Sequence, residues 1–386
     1  MSEFRTIREL CSVVVDCPHS TPKWTANGKI VIRNKNIKHG KIDFSSPSYT
    51  DDEHFAQRIK RAKPQPGDII ITREAPIGDV GMIPENTECC LGQRMVLLRA
   101  NQSVCDNFYL LYSLQSLYVQ HQISWSEGTG TTVSNLRIPH LEQIQIPYLP
   151  LEQQAKISSV LRALEEKIEN NRRLNDNLQQ QAAALFSSLY DRTNTEVRFI
   201  DLIQILGGGT PKTGENTYWN GNIAFFTPKD VGTPYTLITE KTITEEGLSH
   251  CNSRLYPVNT VFVTARGTVG KVGMSGVPMA MNQSCYALVG KETHQLLVYF
   301  YTLKAVDRLK HKASGAVFDA ITTRDFESEQ IMKLSDDDAK AFLCIAEPMF
   351  QKVLNNCIEN LRLSTLRDSL LPKLMSGEID VSAVQF

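Results

Sequence analysis

The sequence predicts an α+β protein in which two duplicated, strand-rich mixed α/β domains are separated by two long helices. The helices are expected to pair as an antiparallel coiled coil with pseudo-two-fold symmetry. Three observations predict this. The 386 residues exceed the roughly 250–300 at which one hydrophobic core stops growing. Short blocks recur in the same order at offsets near 190 residues, the mark of an internal repeat. Between and after the blocks, the periodicity becomes that of heptads sustained for more than four repeats.

The first block is Pro66-Gly67-Asp68-Ile69-Ile70-Ile71-Thr72-Arg73-Glu74-Ala75-Pro76-Ile77-Gly78-Asp79-Val80-Gly81-Met82. The second runs from Pro257 to Met274 and contains Thr264-Ala265-Arg266-Gly267-Thr268-Val269-Gly270-Lys271-Val272-Gly273. Matching Thr72 to Thr264 brings the glycines and methionine into step at an offset of 192, while Thr21-Pro22-Lys23 matches Thr210-Pro211-Lys212 at 189 and Gly130 matches Gly315 at 185. Each block reads as strand, glycine turn, strand. Asp68–Thr72 and Thr260–Thr264 are β-branched-rich, and further strands are expected at 30–33, 94–98, 223–226 and 285–289.

From Leu151 onward Ile157, Leu161, Leu164, Ile168, Asn171, Asn175, Leu178, Ala182, Leu185 and Leu189 follow steps of four and three. A helix from Leu151 to Tyr190 would span roughly 60 Å, and its apolar seam needs a partner. The partner begins at Asp336-Asp337-Asp338, acids suited to a helix N-terminus. It continues through Phe342, Ala346, Met349 and Val353 to Leu363, Leu366, Leu370 and Leu374, with a register slip where Phe350, Leu354, Cys357 and Leu361 form a second stripe. Asn171, Asn175, Asn356 and Asn360 lie in or beside the seam as candidate register-setting residues. The expected division is therefore a first domain over 1–148, a central helix over 149–191, a second domain over 192–334, a distal helix over 335–378 and a tail over 379–386.

Composition narrows the function. Hydrophobic residues make up 41% and charged residues 22%, which excludes a wholly disordered chain. No apolar run reaches the roughly 20 residues of a membrane span, and the N-terminus has no signal-like core, so a cytoplasmic protein is expected. The 41 Lys and Arg against 42 Asp and Glu give a net charge of −1, unlike a chain that coats itself in nucleic acid, though compatible with local basic patches. The nine cysteines are scattered without a C-x-x-C pair, as expected of reduced, buried thiols.

Catalytic patterns are missing. None of the eight histidines forms a metal-binding motif. Gly207-Gly208-Gly209-Thr210-Pro211-Lys212-Thr213-Gly214 fails as a nucleotide loop because Glu215, not lysine, follows the last glycine. Asp68 and Glu74, the nuclease-like acids, are replaced in the repeat by Thr260 and Arg266. No nucleophile elbow or base-flipping methyltransferase motif is present. The expectation is a chain that is not an enzyme and that binds no cofactor or metal itself.

The polar loops are where the chain could touch double-stranded DNA, the alternative being a solvated charged face. Residues 17–42 carry Lys23, Lys29, Arg33, Lys35, Lys38 and Lys41 in a stretch without Asp or Glu from 17 to 42, interleaved with Trp24 and asparagines. Such residues supply phosphate and base-edge contacts. Candidate DNA-binding residues in the first half are Thr21, Lys23, Arg33, Lys35, Asn36, Lys38, Arg73 and Ser126. In the second they are Thr210, Lys212, Tyr218, Thr227, Lys229, Arg266, Lys310 and Lys312.

On these features the chain resembles the DNA-specificity subunit of type I restriction-modification systems, over essentially its whole length. The residues that carry the resemblance are Gly208-Gly209-Thr210-Pro211, Tyr218-Trp219, Thr227-Pro228-Lys229-Asp230, Thr264 to Gly270, Leu149 to Gln154 and Leu366 to Glu378. The first half departs from the pattern with Ser20 before Thr21-Pro22 and without an acid matching Asp230. The resemblance implies two target recognition domains, each reading half of a split DNA site. It implies helices that fix the spacer and dock two methyltransferase subunits, which carry S-adenosylmethionine. It further implies two restriction subunits, which use ATP and Mg. Roughly 60 Å corresponds to about 18 base pairs. Rival readings are a type IIB or related specificity subunit, a self-sufficient methyltransferase, and a coiled-coil scaffold without nucleic acid.

Overall fold

The computed structural model describes residues 3–38, 40–125, 135–232, 234–312 and 320–381. They form two units, one comprising Met1–Glu166 with Leu363–Phe386 and the other Lys167–Arg362. In the first unit Ile69–Thr72, an unbroken β-branched run, pairs antiparallel with Met95–Ala100 and Val80–Met82, and Cys11–Asp16 completes a four-stranded sheet. Ile69 and Ile71 face a core shared with the helix Asn107–Gln115, while Ile70 faces a second cluster with Ile32, Cys89 and Leu91. Both faces are covered, so this strand reads as a continuous apolar run rather than an alternation. A three-stranded sheet of Ser48–Thr50, Lys29–Ile32 and Cys89–Leu91 stands beside it.

The second unit repeats this plan. Val261–Thr264 sits between Cys285–Gly290 and Val272–Ser275. Val261 and Val263 face one core and Phe262 the other. Ile203–Gly207 takes the place of Cys11–Asp16, and Lys241–Ile243, Trp219–Phe226 and Met279–Met281 form the accompanying three-stranded sheet. All six expected strands are present, with Trp219–Phe226 starting four residues earlier than expected.

Leu151–Tyr190 and Asp336–Met375 are continuous helices of 40 residues each. Within the second unit, the Asn171 amide donates to Glu359 Oε2 at 2.7 Å and to Asn360 Oδ1 at 2.9 Å, and Asn356 Nδ2 donates to Asn175 Oδ1 at 2.8 Å. Partner numbers fall as the central helix rises, so the helices are antiparallel there. Ala182 and Phe186 pack with Phe342, Ala346, Phe350 and Val353. Within the first unit, Ile157 and Leu161 share a core with Leu374 and Met375, and Glu165 receives the Tyr112 hydroxyl at 3.1 Å and pairs with Arg367 at 3.5 Å.

Of the expected seam residues, Ile157, Leu161, Ile168, Val353 and Leu374 are buried, and Leu164, Leu178, Leu185, Leu363 and Leu370 are half-buried. Leu366 is an exception at 45% exposed. Where the register slips, Phe350, Val353 and Leu354 are all buried, so the distal helix uses both stripes in succession. Among the described residues, no helix is long and apolar enough to cross a membrane.

The asparagine pair generates a test. Asn175→Leu leaves the buried Asn356 amide without its partner and is expected to cost about 1–3 kcal/mol. Replacing both by leucine should cost less than the sum of the singles. Urea denaturation of the parent, the two single variants and the double variant measures the coupling.

Candidate nucleic-acid interface

The same hydrogen-bond pattern holds the candidate loops in both units. After Lys29–Ile32, the chain turns through residues 33–36. Asn36 Oδ1 accepts from the Arg33 amide at 3.0 Å, and the Asn36 amide donates to the Arg33 carbonyl at 2.8 Å. After Phe226, Asp230 Oδ2 accepts from the Thr227 amide at 2.8 Å, and the Asp230 amide donates to the Thr227 carbonyl at 2.9 Å. Asn36 thus does the work of the acid that the first half lacks in sequence. Lys35 and Lys229, at matching places in these turns, are exposed.

A second pattern fixes the glycine loops. Thr72 Oγ1 accepts from the Asp79 amide at 2.9 Å, and Thr264 Oγ1 accepts from the Lys271 amide at 2.9 Å. Each threonine carbonyl takes the amide of Gly78 or Gly270 at 2.9 Å. Those glycines have φ of 82° and 73°, where a side chain would be strained. The loops are anchored to the neighbouring turn in both units. Asn34 Nδ2 donates to the Glu74 carbonyl at 2.5 Å, and Thr268 Oγ1 donates to the Pro228 carbonyl at 3.2 Å. Gln93 contacts Thr21, and Gln283 contacts Thr210 in the matching place.

Several expected DNA contacts are instead spent inside the protein. Asn36 is buried, and its Nδ2 donates to the Asp43 carbonyl at 2.9 Å. Arg73 makes a two-oxygen contact with Asp16 at 2.9 Å and donates to the Leu136 carbonyl at 2.8 Å and to Asn135 Oδ1 at 3.2 Å. Thr227 Oγ1 donates to Asp230 at 2.6 Å. Lys312 pairs at 2.5 Å with Glu329, which is fully buried and also contacted by Arg308 at 2.8 Å. The Arg73–Asp16 pair is largely enclosed and holds its loop in place, whereas Lys312 keeps 55% of its side chain exposed beside Glu329. Tyr218 stacks on His250 with centroids 4.9 Å apart.

Other candidates remain at the surface. Lys23 pairs loosely with Asp51 at 3.4 Å and Lys38 with Asp43 at 3.1 Å, both with exposed lysines. Thr21, Thr210, Lys212 and Arg266 are exposed. Lys229 lies 3.5 Å from Glu240. Lys310 lies over the glycine loop, its Cε 2.5 Å from where a Gly270 Cβ would stand. Ser126 and the Gly130–Gly315 match lie outside the described residues.

The structure brings Trp24, Gln93 and Arg94 together with the candidate residues Arg33 and Lys35. Trp24 is 44% exposed and lies under the Arg33 guanidinium, 4.9 Å from its ring centroid. Arg94 pairs with Glu74 at 3.1 Å. Trp24 stands out in sequence as an aromatic among lysines, whereas Arg94, expected to open the strand at 94–98, lies just before Met95–Ala100 with φ 66°, and Gln93 carries no local signature. Glu74 and Arg266 occupy matching loop positions, so the two loops carry opposite charge on one backbone pattern. Among the described residues, no group of three or more His, Cys, Asp or Glu is placed to hold a metal ion.

A family model described as "Type I restriction modification DNA specificity domain" matches residues 3–180 and again 192–333. The chain is similar to the type I restriction enzyme MjaIX specificity subunit of Methanocaldococcus jannaschii, 23% identical over 342 residues, covering 82% of this chain and 78% of that one. It is also similar to the type I restriction enzyme HindI specificity subunit of Haemophilus influenzae, 29% identical over 185 residues, 46% of this chain and 40% of the other. The fold matches the crystal structure of a type I restriction-modification system S subunit from M. genitalium with TM-score 0.60 and 18% identity, over 96% of this chain and 95% of that one.

The turns and the side chains they display are separable by mutation. Asn36→Ala and Asp230→Ala each remove a turn-closing acceptor and are expected to lower stability by about 1–3 kcal/mol. Lys35→Ala and Lys229→Ala should stay within about 0.5 kcal/mol of the parent. Denaturant melts of the four variants decide this.

Proposed function

The chain belongs to the type I restriction modification DNA specificity family, and we propose from that premise how its two units divide the work of reading DNA. It is a sequence-specific DNA-binding specificity subunit. Residues 1–148 and 192–334 act as target recognition domains, each reading one half of a bipartite site. The observation that carries this reading is the repeated loop pattern displaying different side chains. Arg33 and Arg94 stand in one unit where Thr227 and Ser284 stand in the other, around a lysine common to both, Lys35 and Lys229. One scaffold carrying two sets of tips is what two unlike half-sites require.

The long helices over 149–191 and 335–378 set the length of the unread spacer and dock two methyltransferase subunits, with two restriction subunits completing the complex. S-adenosylmethionine, ATP and Mg act on those partners, and this chain contributes position rather than chemistry. The DNA contacts fall to Thr21, Lys23, Arg33, Lys35 and Lys38 in the first domain and to Thr210, Lys212, Tyr218, Lys229, Arg266 and Lys310 in the second. The complex works in the cytoplasm, where its DNA is.

Co-expression with the methyltransferase of its complex, followed by adenine-methylation mapping on random-sequence DNA, tests the reading. A two-part motif with a fixed gap is expected, and no motif would overturn it. Adding one heptad to both long helices lengthens each by about 10.5 Å. The gap should widen by about three base pairs at 3.4 Å each with both half-motifs intact. Lys35→Ala and Lys229→Ala should weaken binding across sequences and lower the salt slope by about 1 each, measured by titration at several salt concentrations.

A further inference from the structure

One cleft of the first unit has no equivalent set of side chains in the second. It encloses about 350 Å³ between the turn at 33–36 and the segment 92–94, and Trp24, Arg33, Asn34, Lys35, Gln93 and Arg94 line it without a carboxylate among the lining residues. Arg94 is held by Glu74 at 3.1 Å, and Asn34 is tied to the Glu74 carbonyl. Arg33 is different. Its guanidinium lies on the Trp24 indole, and none of its N–H groups is spent on another described side chain. The corresponding positions in the second unit are Thr213 for Trp24, Thr227 for Arg33 and Ser284 for Arg94.

A guanidinium seated 4.9 Å over an aromatic ring, with no N–H spent on a described side chain, is available to a planar acceptor that takes two hydrogen bonds. On duplex DNA the base edge offering such a pair is guanine, through O6 and N7 in the major groove. Phosphate is the competing acceptor. Lys35, exposed two residues away, provides a mobile point charge for that role, and a fixed planar fork is unnecessary for it. We propose that Arg33, held on Trp24, reads a guanine in the half-site bound by the first unit. This inference rests on the specificity function proposed above.

The test uses the full-length chain in complex with its methyltransferase partner, with methylation rates measured on duplexes varied one position at a time. Arg33→Ala is expected to lower the preference for guanine at one position by about tenfold to a hundredfold, leaving the second half-motif unchanged. Arg33→Lys should relax the same position, because an ammonium keeps the charge and loses the fork. Trp24→Ala should relax it in part and Trp24→Phe should preserve it. A uniform fall in rate with the guanine preference kept in Arg33→Lys would overturn the inference and assign Arg33 to phosphate. If Arg33→Ala does not fold, Arg33→Lys decides alone. A parent complex without a two-part motif would sink the specificity function itself, whereas a parent motif untouched by Arg33→Lys would sink only the guanine contact.

Discussion

Each long helix has an apolar seam that it cannot bury alone, and the way that seam is covered organises the rest of the molecule. In the second unit Phe186, Phe342 and Phe350 are not simply coiled-coil contacts; they belong to the same core as Val261, Val263 and Leu288 of the sheet. Phe186 stacks on Phe300 with centroids 5.0 Å apart, and Phe342 meets Phe300 edge-on at 5.1 Å. In the first unit Ile157, Leu161, Leu374 and Met375 are continuous with Ile69, Ile71 and Leu98. Helix pairing and sheet packing are therefore one act of burial in each unit. The polar seam positions, Asn171 and Asn175, lie in the stretch where the central helix has fewest large apolar contacts, and their amides select a register that leucines alone would leave open.

The loops show the complementary economy. Backbone geometry is fixed by a few repeated bonds: Thr72 and Thr264 across the glycine loops, Asn36 and Asp230 within the turns. Because those bonds hold the main chain, the residues displayed on it can differ between the units, as Arg33 and Arg94 do from Thr227 and Ser284. Asn36 and Asp230 differ in charge yet serve as the same acceptor, so conservation of geometry does not require conservation of residue.

How much of this was legible depended on the range of the physics involved. The heptads and the duplicated glycine turns are local patterns, and they placed the helices, six strands and the repeat. Asn36, an asparagine among lysines, looks in sequence like a base reader, while its burial is decided by the Asp43 and Ser46 carbonyls that its amide reaches. The partners of Arg73 are more distant: Asp16 and Asn135 reach it from 57 and 62 residues away, a relation no local window contains. Strand Cys11–Asp16 carries the β-branched run Val13-Val14-Val15 but no partner in the repeat's glycine-turn pattern, and its place is fixed by pairing with Met95–Ala100. Nothing in the sequence marks Gln93 or Arg94 as part of a cleft, and Arg94 reads there as the start of a strand; the meeting of three loops brings them together.

The discontinuity of the first unit has a consequence for biosynthesis. Its core needs Leu374, Met375 and Val381 beside Ile7, Ile157 and Leu161, yet residue 363 is made roughly 200 residues after residue 166. At about 5–20 residues per second that interval is on the order of 10–40 s. The second unit, by contrast, is one uninterrupted stretch, 167–362. The usual order in which the earlier domain folds first on the ribosome is therefore inverted: the later half has all its parts first, and the earlier half waits with an open apolar face. That waiting period is the chain's exposure to aggregation and to chaperones, and it ends only when the distal helix closes the core it was made to complete.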